Sequence, residues 1–151
     1  MAKSSASRPS ASKRAPATAG PAKAGRQATA KLPRAVTVAV RAALDKKAEE
    51  VVVLDLRKAG GFTDYFVICT GGNARQITAI ADAVDETLKK ELRERPSLAE
   101  GLDKSEWILL DYFNFVVHIF SRECRAFYGL ERLWGNALRH QFDDAPVERG
   151  L

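Results

Sequence analysis

The groups in this 151-residue chain whose chemistry deserves the first test are a glycine pair, two cysteines and two histidines. Gly71 and Gly72 end the apolar run "YFVICT" (Tyr65 to Thr70), and Asn73 and Gln76 follow at the spacing of a helix cap. Backbone N–H groups at such a turn suit a phosphate, with Arg75 beside them to grip an acidic group. That makes a nucleotide-binding or nucleotidyltransferase-like enzyme the alternative function. Neither a GxGxxG nor a GxxxxGKS/T pattern is present, however, and a turn with a cap accounts for the same residues. Metal-dependent nucleotidyl transfer also needs carboxylates paired along a strand to hold magnesium. Asp111 in "DYFN" lacks a second acid, and the adjacent Asp143 and Asp144 would point to opposite faces of a strand. Cys69 sits in an apolar run, where burial raises a thiol's pKa instead of arming it. His118 has no evident acid to orient it, so it reads as a hydrogen-bonding or interface residue. Cys69, Cys124, His118 and His140 lack zinc-ligand spacing. The residues therefore predict no catalytic, cofactor or metal site, and no enzyme.

The elements that must position these groups follow from periodicity. Val36, Val40 and Leu44 recur at helical spacing after Pro33, and "VVVLDL" (Val51 to Leu56) reads as a strand. Tyr65 to Thr70 is a second strand, and Ile77, Ile80, Ala81, Val84, Leu88 and Leu92 mark one face of a long helix that stops before Pro96. The segment "EWILLDYFNFVVHIF" reads as a hairpin with Phe113 and Asn114 as its loop. Tyr112, Leu110 and Ile108 then face Phe115, Val117 and Ile119 on a purely apolar side, which suits the core. The other side sets Asp111, Leu109 and Trp107 against Val116, His118 and Phe120. That mixture suits a partner surface, while a second helix layer covering it is the competing reading. "ECRAFYGLERLWGNALR" places Phe127, Leu130, Leu133 and Trp134 at helical spacing, with Gly129 as a weak point. The predicted fold is α/β: a single domain with a mixed β-sheet and helices packed on it.

Charge divides the chain. Of the 24 basic residues, eight lie in residues 1 to 34, which hold no acid; the 16 that remain face 19 acidic residues, so the chain beyond residue 34 is mildly acidic and its natural partner is a basic surface. Residues 1–33, rich in Ala, Ser, Lys, Arg and Pro, read as a disordered basic tail able to touch phosphates. Four prolines interrupt the amphipathic helix a transit peptide needs, which favours a bacterial tail. Residues 139–151 read as a flexible C-terminal tail. Without a membrane-span or secretory pattern, and with two separated cysteines, the expected location is the cytoplasm, away from any membrane.

With these blocks in view, the chain resembles one known family. "DKKAEEVVVLDLRKAGGFTDYFVICTGGNARQITAIADAV", Glu100-Gly101, "WILLDYFNFVVHIF" and "RAFYGLERLW" are similar to the ribosomal silencing factor RsfS (Iojap) family over about residues 36 to 138. The resemblance implies a fold like the nucleotidyltransferases without their catalytic carboxylates, placed here in residues 34–138. It implies a non-enzymatic repressor of translation. Such a factor binds the large ribosomal subunit at its fourteenth protein, blocks an intersubunit bridge and prevents subunit joining; the free protein is a homodimer. This sequence departs from the family pattern at Gly72-Asn73, Phe113-Asn114 and Gly129. The residues expected to bind the partner are Trp107 and Leu109 as anchors and Asp111 as a charge partner, joined by Tyr112 at the hairpin edge, His118, and Tyr128 with Glu131.

Overall fold

A computed structural model describes residues 32–142; the expected tail over residues 1–31, and residues 143–151, lie outside the described part. Pro33 opens helix α1 (Arg34–Asp45), whose Val36, Ala39, Val40 and Ala43 are fully or almost fully buried. Strand β1 (Glu49–Asp55) follows, with a bulge near its start where Glu50 takes φ +50°. Strand β2 (Tyr65–Thr70) returns antiparallel to β1. Asn73 then caps helix α2 (Ala74–Leu92), its side chain accepting from the Gln76 N–H at 2.8 Å. Gln76 reaches back to the N–H of Gly72 at 2.6 Å, one residue earlier than in a standard capping box, and its amide donates to the carbonyls of Lys46 and Lys47. One side chain thus ties the start of α2 to the end of α1. The helix closes at Arg93 in a left-handed conformation, three residues before Pro96.

Beyond α2 come β3 (Leu98–Glu100), β4 (Trp107–Asp111), β5 (Phe115–Phe120), α3 (Arg122–Tyr128), α4 (Leu130–Leu133) and β6 (Leu138–Phe142). The sheet runs β3-β4-β5-β2-β1-β6, and only the central β2–β5 pair is parallel. The hairpin has the register predicted: Trp107 opposes Phe120, Leu109 opposes His118 and Asp111 opposes Val116. Strand alternation sends Val51, Val53, Val67, Cys69, Ile108, Leu110, Val117 and Ile119 to one face, where α1 and α2 bury them. Val52, Leu54, Phe66, Ile68, Val116 and Phe120 form the opposite face.

Three expectations need correction. The loose end expected from residue 139 is folded as far as Phe142, because β6 pairs along β1 with Val53 opposite His140. Tyr112 does not lie at an exposed hairpin edge: it is buried in the core under α2 and stacks on Phe115 with ring centres 4.9 Å apart. The last helix is two short ones, because Gly129 takes φ +53° and ends α3. Leu130 and Trp134 consequently pack on the second sheet face, while Phe127 and Leu133 point outward, 77% and 70% exposed.

Candidate docking face

The second sheet face is covered only in part, by α3, α4 and Trp134, so both readings of it hold a share of the truth. Along β4 the alternation is clean: Ile108 and Leu110 are buried, while Trp107, Leu109 and Asp111 are half-buried on the partly roofed side. The Trp107 indole is held from three directions. Its N–H donates to Nδ1 of His118 at 3.1 Å, and its ring lies 5.0 Å from Phe120 and 4.5 Å from Tyr128 of α3, centre to centre. Phe66 carries the cluster onward, edge-on to both His118 and Trp134, and Phe62 extends it to an exposed ring beside Phe66.

His118 is not itself available to a partner, being 4% exposed. Burial pushes its pKa down to about 3, so the ring is neutral at physiological pH. Because Nδ1 accepts from the indole, the ring proton sits on Nε2, a buried nitrogen with no hydrogen-bond partner. The histidine acts by aiming Trp107. Asp111 also has a local duty: Oδ1 accepts from the N–H of Phe113 at 2.8 Å and steadies the tight turn, in which Phe113 takes φ +76°. Tyr112 lies on the opposite sheet face, and burial, with Asp85 and Glu94 adding to it, raises its hydroxyl pKa. Glu131 is engaged with Arg125, away from the indole. Of the seven residues expected to bind, the fold therefore gathers Trp107, Leu109, Tyr128 and the buried His118, puts Asp111 at the same face, and separates Tyr112 and Glu131.

Sequence reasoning missed Phe62, Phe127 and Leu133 as exposed apolar groups. Their helical spacing did not say which way Phe127 and Leu133 point, and the weak point at Gly129, which takes φ +53°, is where the helix breaks. Burial pushes the Cys69 thiol up to about 12, and among the described residues no cluster of three or more His, Cys, Asp or Glu could hold a metal. Among them, too, no helix is long and apolar enough to cross a membrane.

Fold and face define the class: a small mixed-sheet α/β domain with an aromatic cluster on one half-roofed sheet face. Solved structures share the fold. A protein from Chromobacterium violaceum superposes with a TM-score of 0.64 at 31% identity over 67% of this chain and 83% of that one. A Bacillus halodurans protein gives 0.60 at 34% identity over 72% and 95%. The family model described as "Ribosomal silencing factor during starvation" matches residues 29–150. Ribosomal silencing factor RsfS of Halalkalibacterium halodurans is 40% identical over 66% of this chain and 85% of its own length. The chloroplastic protein Iojap of Zea mays is 38% identical over 64% of this chain and 42% of its own. The chain belongs to the ribosomal silencing factor (RsfS/Iojap) family.

Proposed function

We propose that this chain associates with the ribosome and silences translation without catalysing a reaction. It docks on the fourteenth protein of the large subunit through Trp107, Leu109, Asp111 and Tyr128, and its bulk then prevents the small subunit from joining. Family membership supports the silencing role, and the observation that carries the docking surface is the half-exposed indole of Trp107, clamped in one orientation by His118, Phe120 and Tyr128. An aromatic anchor that is already rigid loses little side-chain freedom on binding, and buried aromatic anchors supply most of the energy of an interface. Phe62 and Phe127 extend the apolar contact, while the free carboxylate oxygen of Asp111 meets a basic group at its edge. Basic residues of the N-terminal tail add a weak, salt-sensitive contact to ribosomal RNA. All this proceeds in the cytoplasm.

Sedimentation tests the reading. Purified protein should co-migrate with isolated large subunits and, in excess, reduce the joined-ribosome peak when small subunits are added. Unchanged joining at saturating protein would overturn the steric mechanism.

A further inference from the structure

We infer a second site, separate from the docking face, that binds a small phosphate-bearing anion in the cleft between α3–α4 and the β1–β6 side of the sheet. The cleft encloses about 600 Å³, room enough for a pyrophosphate or a mononucleotide, and Thr70, the last residue of β2, forms part of its wall. Its wall runs from the start of β1 and the end of β2, across α3 and α4, to Arg139 of β6.

The lining supplies the chemistry. Arg122, Arg125, Arg132 and Arg139 converge on the cleft against Glu49, Glu50 and Glu131. Two of these guanidiniums are already committed. Arg122 grips Glu49 at 2.9 Å, and Arg125 holds Glu131, the Thr70 hydroxyl and the Glu50 carbonyl. Arg132 and Arg139 form no ion pair among the described residues, and of the three glutamates in the lining only Glu50 has its carboxylate outside an ion pair. Gly129 lets Arg132 fold over the backbone: a Cβ at that position would overlap the guanidinium. Two uncommitted planar donors in one concave site match a phosphate, which accepts paired N–H bonds from each.

Calorimetry of the full chain with inorganic pyrophosphate, at constant ionic strength set by chloride, tests the assignment. Saturable one-to-one binding is expected. Arg132→Gln with Arg139→Gln should weaken it about a hundredfold, on the order of tenfold per lost charge-assisted pair, and Arg139→Gln alone about tenfold. Glu50→Gln should tighten it several-fold by removing the opposing charge, whereas Trp107→Ala should leave it unchanged. Thermal unfolding of each variant without ligand confirms that the fold is kept. No saturable heat up to about 10 mM pyrophosphate, equal affinity in a folded Arg139→Gln variant, or retention of a short RNA with which pyrophosphate does not compete would each overturn the assignment.

Discussion

Replacing Arg125 by methionine is the perturbation that asks most of this structure. The guanidinium is 8% exposed and ties three elements together: Nη1 donates to the Glu50 carbonyl at 2.7 Å and to the Thr70 hydroxyl at 3.0 Å, while Nε and Nη2 donate to Glu131. Methionine keeps the apolar stem but strands a carboxylate, a carbonyl and a hydroxyl. Removing one member of a buried ion pair costs about 3–5 kcal/mol. The Glu131 side chain retains 20% exposure and regains some water, which places the loss near the lower end, about 3 kcal/mol. For a folded part of this size that lowers the melting midpoint by roughly 10 °C. Urea and thermal unfolding followed by circular dichroism measure it. Indole fluorescence adds a local readout, because Tyr128 of the same helix packs on Trp107. The double variant Arg125→Met with Glu131→Leu should recover at least half of the loss, since the stranded charge is then gone. A single-variant loss under about 1 kcal/mol, or a double variant no better than the single, would refute the argument that buried charge pairing fastens α3 and α4 to the sheet.

Trp107→Ala should weaken binding to the isolated ribosomal protein about thirtyfold or more while circular dichroism stays native, and wild-type affinity would move the docking surface elsewhere. Asp111→Asn keeps the Oδ1 acceptor for the Phe113 N–H and removes only the charge, so it should lower affinity without loss of stability; Asp111→Lys should lower both. His118 has a folded pKa near 3 against 6.5 when free, so the unfolded chain takes up a proton first and stability falls as pH drops through that window. Urea unfolding from pH 7 to pH 5 should cost the wild type about 2 kcal/mol more than His118→Leu. Gly101→Ala should destabilise strongly, because Gly101 has φ +85° and a Cβ there would run into the Trp107 carbonyl; a melting midpoint within about 2 °C of the wild type would contradict this.

What the sequence revealed depended on how local the signal was. The hairpin was legible to the residue because a two-residue loop and two apolar faces leave a single register that buries Ile108 and Leu110 together. The same alternation sends Tyr112 inward opposite Phe115, as the apolar side of the hairpin predicts, and this takes it away from a partner at the hairpin edge. Strand β6 was hidden for a different reason: "LRHQF" has one buried residue, His140, and its partner strand lies far back in the chain. Strand β3 is exposed throughout and carries no hydrophobic signature. At the candidate face, Trp107 and Leu109 could be read from alternation, but the burial of His118 could not, since Phe66, edge-on to it at 4.5 Å, comes from β2, far back in the chain.

Strand β6 carries a consequence for synthesis. Val51, Val52, Val53 and Leu54 are all buried, and β6 caps the outer rim of that strand. A chain growing from its N-terminus can pair β1 with β2 early, yet the far rim stays open until Leu138 to Phe142 emerge. Until then the nascent protein displays a flat valine-rich edge with unspent backbone donors and acceptors, the template on which a neighbouring chain can add a strand. The last five residues of the described chain thus exchange a valine-rich rim for an edge that carries Arg139 and Gln141, and a chain ending at residue 137 should be recovered mainly in the insoluble fraction.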